Sequence, residues 1–144
     1  MNYSDLLASA VLATASDAII AADKDNIVRF WNPGAERIFG YTREEAVGRP
    51  LDIIIPERLR KRHWDGYRRV MAGGESHYGH GDILAVPGVK KDGTAISVEF
   101  TIILLAAEGG QLNGVAAIMR DVTAKFNEVR ALKRRLADAE KAVN

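Results

Sequence analysis

The sequence contains no cysteine. That excludes disulfides, thiolate metal centres and any covalent bond between a cysteine sulfur and a cofactor. It fits a reducing compartment, and a cytoplasmic protein is the expectation. Long apolar runs are missing as well: the longest, Ile102 to Ala107, falls far short of the ~20 residues a membrane-spanning helix needs. The stretch MNYSDLLASA has no basic flank and carries Asp5, which makes it a poor signal peptide. Neither sign of charge is in excess. The 20 Lys and Arg residues face 19 Asp and Glu residues, so there is no electrostatic footprint for nucleic acid or an anionic membrane. Catalytic signatures are also missing. There is no nucleophile elbow, no His-x-x-x-His zinc spacing and no phosphate-loop glycine spacing, and Asp65 falls on a different helix face from His63. No enzyme activity is expected.

What is present is one domain's worth of chain, 144 residues of which 47% are hydrophobic, enough to bury a single core. Residues Tyr3 to Ala15 carry a short amphipathic helical stripe that Ser4 or Asp5 could cap. Ala18–Ala22 and Ile27–Trp31 read as strands joined through the turn Asp23-Lys24-Asp25-Asn26. Asn32 caps, Pro33 opens and Gly40 ends a short helix. Thr42-Arg43-Glu44-Glu45 is a capping box for another. Leu51 to Ile55 is a buried run. Glu57 to Ala72 is the longest helical pattern of the domain, with Leu59, His63, Gly66, Tyr67 and Val70 on one face. Strand patterns then cover Tyr78–Val86, Ala95–Leu105 and Gly114–Met119, separated by the turns Lys90-Lys91-Asp92-Gly93 and Glu108-Gly109-Gly110-Gln111. From Val122 the residues Phe126, Val129, Leu132, Leu136, Ala139 and Val143 recur every three or four positions, a coiled-coil seam. Five strands, with the helices grouped between the second and third, predict an antiparallel α+β sheet with helices over one face.

This order of short motifs resembles the PAS family. The residues that carry the resemblance are Asp17-Ala18-Ile19-Ile20 with Asp23, Phe30-Trp31-Asn32-Pro33-Gly34-Ala35-Glu36, Ile38-Phe39-Gly40-Tyr41, Gly48-Arg49, Lys91-Asp92-Gly93 and Arg120-Asp121-Val122-Thr123. The resemblance implies a PAS fold with a five-stranded antiparallel sheet and short helices on one face. It divides the chain into an N-terminal flanking helix (1–16), the domain (17–121) and a C-terminal coiled-coil signalling helix (122–144). It implies a sensor that binds a small ligand or cofactor and relays its state through the terminal helix, and a homodimer built through the flanking helices, with the output on another segment or another protein. The alternative is a cofactor-free dimerisation module whose pocket is filled by inward side chains; Ile102, Leu104 and Ile118 are bulky, whereas Ala106, Ala117 and Gly114 are small.

PAS domains bind haem, flavins, other chromophores, organic acids or nothing. Photochemistry of the LOV or photoactive-yellow-protein type needs a cysteine, so the sequence excludes both. The segment with Arg62-His63, Tyr67, Arg69, Glu75 and His77 is similar to the haem-binding PAS domains of rhizobial oxygen-sensing kinases. That similarity implies haem b, with His63 as the proximal iron ligand and Arg69 and His77 near the propionates. Tyr67 joins them in the cofactor-binding set. The arginine that contacts bound oxygen in those sensors is not matched, because Asp82 or Ile83 falls there; His80 is an alternative second ligand. Against the haem reading stands a second reading of His63, a core histidine hydrogen-bonded to a neighbour. For His77 and His80 the second reading is an exposed loop.

Overall fold

The computed structural model of the protein describes residues 2–73 and 84–143. In chain order the elements are α1 (Tyr3–Leu12), β1 (Ala18–Asp23), β2 (Val28–Trp31), α2 (Pro33–Phe39), α3 (Arg43–Ala46), α4 (Arg60–Met71), β3 (Leu84–Val89), β4 (Ala95–Ala106), β5 (Leu112–Asp121) and α5 (Thr123–Val143). Two 3-10 turns, Leu51–Ile54 and Glu57–Leu59, lead into α4. The strands form one sheet in the order β2-β1-β5-β4-β3, and every neighbouring pair is antiparallel. The helices between β2 and β3 lie in the connection that carries the chain from one sheet edge to the other.

Side-chain alternation along the strands decides which face is covered. Ala18 and Ile20 of β1, Ile96 and Val98 of β4, and Ala117 and Met119 of β5 share the inner face and belong to the apolar core. Trp31, Ala35, Ile38, Phe39, Ala46, Ile53 and Ile54 close over them. Trp31 and Phe39 are almost completely buried, with ring centroids 5.8 Å apart. Each contributes about 1.5–3 kcal/mol by burial. The register places Ile118 opposite Ile19 and Thr101, on the outer face, with Gly114 on the same side. Those two residues therefore do not line the interior, which corrects the inward set read from the sequence.

Asn32 ties the N-terminal linker to the core. Its Oδ1 accepts from Ile19 N (2.7 Å) and, as the cap of α2, from Ala35 N (2.9 Å). Its Nδ2 donates to the carbonyls of Thr14 and Asp17, both at 3.0 Å. A Cβ on the neighbouring Gly34 would stand 1.8 Å from the Asp17 carbonyl oxygen, so that close approach requires glycine.

Several boundaries differ from the sequence reading. Asn2, not Ser4 or Asp5, caps α1 by accepting from Asp5 N at 2.8 Å, and the helix stops at Leu12. No side chain caps α4, and the chain after Pro56 makes a 3-10 turn before α-helical bonding starts at Arg60. The buried run at Leu51–Ile54 is helical in the 3-10 sense. The third strand runs over Leu84–Val89; its expected start at Tyr78 lies outside the described residues. No helix among the described residues is long and apolar enough to cross a membrane.

Candidate functional site

The β1–β2 turn is built by Asp23. Its Oδ1 accepts from the backbone N–H of Asp25 (2.9 Å) and Ile27 (3.1 Å), and its Oδ2 pairs with Arg29 Nε at 2.7 Å. This geometry turns the chain so that Asn26 takes a left-handed backbone, φ 65°, and buries its side chain completely. The Asn26 backbone is fixed on both sides: its N–H donates to Asp23 O (3.0 Å) and its carbonyl accepts from Leu51 N (2.9 Å).

α4 lies against this turn. His63, half-buried, approaches Asn26 Oδ1 with Nε2 at 3.2 Å. An amide oxygen only accepts, so with Oδ1 on this side the bond requires the Nε2–H tautomer of His63. One helical turn on, the Tyr67 hydroxyl donates to Ala22 O at 3.2 Å and also contacts Asp23 O. The His63 and Tyr67 rings are 5.8 Å apart. Trp64 Nε1 donates to Asp52 Oδ2 at 2.9 Å. Among the described residues, Asn26 Nδ2 and Asp52 Oδ1 are buried and have no hydrogen-bond partner.

Burial favours the uncharged forms of both His63 and Tyr67. Burial pulls the His63 pKa below its ordinary value, outweighing the upward pull of the Asp52 carboxylate. Burial pushes the Tyr67 phenol up, assisted by the charges of Asp23 and Asp25. Burial thus favours the neutral imidazole of His63, the form that coordinates a metal.

The structure brings His63 and Tyr67 together. Arg69 is exposed on α4, two positions past Tyr67 and so turned to another side of the helix. His77, with Glu75, His80, Asp82 and Ile83, lies outside the described residues. Sequence reasoning missed Asn26 and Asp52; Trp64 reads from the sequence only as a pocket-lining or core aromatic, not as a partner of Asp52. Asn26 was visible only as a turn residue, and its contact with His63 spans 37 positions. No group of three or more His, Cys, Asp or Glu side chains that could hold a metal ion occurs among the described residues.

An open groove of about 610 Å³ lies elsewhere, at the β5–α5 junction, lined by Ser16, Asp17, Arg37, Arg120 and Thr123 among others. There Arg120 Nε meets Asp17 Oδ1 at 2.9 Å. Arg37 holds the linker carbonyls of Ala15 (2.7 Å) and Ser16 (2.8 Å).

A five-stranded antiparallel sheet in this order, with a helical connection over its inner face, defines a PAS fold. The family model described as "PAS fold" matches residues 12–125, and the chain belongs to that family. Over 92 residues it is 35% identical to the oxygen sensor protein DosP of Escherichia coli, covering 64% of this chain and 11% of that protein. Over 93 residues it is 34% identical to the sensor protein FixL of Bradyrhizobium diazoefficiens, covering 64% and 18%. The chain thus spans less than a fifth of either relative. The solved PAS domain from Colwellia psychrerythraea superposes with a TM-score of 0.69 at 24% identity, over 85% of this chain and 99% of that one.

Proposed function

We propose that the chain is a sensory PAS module that takes haem b between α4 and the sheet, with the His63 imidazole as axial ligand. The observation that supports this most directly is a single imidazole, half-buried on α4 where burial favours its neutral form, with no cluster of three or more ligating side chains among the described residues. A bare ion needs three or four protein ligands. Haem brings its own four nitrogens and asks the protein for one or two, so the donor set fits it. When bound, it would supply an iron centre that responds to gas or redox state. Arg69 and His77 are offered to the propionates on the strength of the PAS resemblance alone. Similarity to an oxygen sensor and a second sensor protein supports a sensory role. With Asp82 or Ile83 at the place of the oxygen-contacting arginine, the proposal stops short of oxygen. The module relays its state through α5 to an output elsewhere, acts as a homodimer in the cytoplasm and has no catalytic activity of its own.

One observation favours the second reading, a cofactor-free interaction module: His63 already has a hydrogen-bonded neighbour in Asn26. An absorption spectrum of protein expressed with a haem supply decides between them. The expected result is a Soret band that shifts with carbon monoxide and disappears in His63→Ala. A wild-type protein that shows no band even after haem addition leaves the second reading.

A further inference from the structure

The nitrogen that the haem reading needs is engaged in another bond. A protonated Nε2 donating to Asn26 Oδ1 has no lone pair for iron. Coordination therefore requires that the proton move to Nδ1 and that the Asn26 bond break. We infer that Asn26 is the residue that sets how tightly this site takes an imidazole-coordinated metal cofactor, because it competes with the metal for His63 Nε2 and holds α4 against the end of β1. The inference rests on the haem reading for its affinity arm and on the geometry alone for the rest.

Asparagine is a costly choice at position 26 on structural grounds. The left-handed backbone, φ 65°, suits glycine, and the asparagine side chain buries an Nδ2 with no partner among the described residues. Among the described residues, the one hydrogen bond its amide makes goes to His63. The bonds to Asp23 and Leu51 fix its backbone, so the amide is held where it meets the imidazole. The helix it holds is also lightly anchored. Tyr67 is the one buried residue of α4, and among the described residues α4 supplies none to the apolar core cluster. Its side-chain bonds to the rest of the domain include the polar contacts His63–Asn26, Trp64–Asp52, Tyr67 with the carbonyls of Ala22 and Asp23, and Arg60 Nε with the Ile55 carbonyl (3.0 Å). Releasing Nε2 thus loosens one of the few ties between α4 and the β1–β2 turn. That makes the turn a second place, besides the last strand, where occupancy is felt.

The test uses imidazole 15N NMR of haem-free protein, amide hydrogen exchange of α4 and haem titration, on wild type and Asn26→Gly, with thermal unfolding as the check on folding. Glycine keeps the backbone angle and removes the amide. Wild type is expected to show the Nε2–H tautomer of His63. Asn26→Gly is expected to lose that preference, exchange the α4 amides faster and bind haem on the order of fivefold tighter, the worth of one released hydrogen bond. Unchanged imidazole shifts and unchanged haem affinity in a folded Asn26→Gly overturn the inference. If the variant does not fold, the wild-type spectrum decides: an Nδ1–H tautomer with no coupling to Asn26 overturns it, and Nε2–H upholds it. If neither protein takes haem, the haem reading fails by itself, and the imidazole shifts still decide whether Asn26 holds Nε2.

Discussion

Asn32 and Asn26 are both buried, but Asn32 closes all four of its side-chain hydrogen bonds and Asn26 leaves its amide donor open. Asn32→Ala removes an N-cap and orphans the buried N–H of Ile19 and the carbonyls of the linker. A loss of roughly 2–4 kcal/mol is expected, read as a lower urea midpoint with an unchanged slope; a loss below about 0.5 kcal/mol would show that water replaces these bonds. The two residues also differ in how legible they are. Asn32 announces itself, because Asn-Pro-Gly after a strand is a local signal for a cap, and the cap forms at that place. Asn26 carries only a turn signal, since its partner His63 comes from another element. His63 was legible as a residue on the inner stripe of its helix, but the direction of its Nε2 was not, because a ring nitrogen's partner is fixed by tertiary packing.

Local chemistry explains the short helices better than the long one. In α3 the Thr42 side chain accepts from Glu45 N (3.2 Å) and Glu45 Oε1 accepts from Thr42 N (2.9 Å), the reciprocal cap expected from the sequence. The other carboxylate oxygen of Glu45 pairs with Lys91, in the β3–β4 turn. The Lys91 ammonium first, and the Thr42 N–H after it, hold the Glu45 carboxyl at about 2, against an ordinary value of 4.5. As pH falls, the unfolded chain binds this proton first. The contribution of Glu45 to stability is therefore present above about 4.5 and is lost as the pH drops toward 2. Lys91→Met is expected to flatten the acid limb of melting temperature against pH in that window; wild-type and variant curves that stay parallel would refute the link. The start of α4 was not legible, because it has no capping side chain and its acidic Glu57 opens a 3-10 turn instead. The end of β3 was misplaced because Pro87-Gly88 looks like a strand stop, yet both pair with β4, opposite Ser97 and Ile96.

At the scale of the molecule, much apolar surface is uncovered. Phe126, Val129, Leu132 and Leu136 of α5 are 45%, 40%, 53% and 61% exposed. Leu6, Leu7 and Val11 of α1, and Ile103 and Leu105 on the outer face of the sheet, are exposed too. Neither flanking helix buries a single residue against the domain. The proposed homodimer would cover this stripe, which has coiled-coil spacing with charged positions between, by a second copy of the chain. Leu132→Asp should weaken self-association in light scattering while the circular dichroism of the domain is kept; an unchanged oligomer would defeat the assignment. The terminal helix and its apolar stripe were legible because their periodicity is local, and the outer-face patch was not, because it depends on strand register.

The ion pair between Asp17 and Arg120 fastens the entry of the chain into β1 to its exit from β5. Beside it, Ser97 N–H donates to Thr123 Oγ1 (3.0 Å) and Val122 N–H to Ser97 O (2.8 Å). The domain therefore has one doorway for both ends of its polypeptide. A unit whose two ends meet in this way would join a host chain at two neighbouring points, provided Thr14 to Ser16, whose carbonyls Asn32 and Arg37 hold, travel with it.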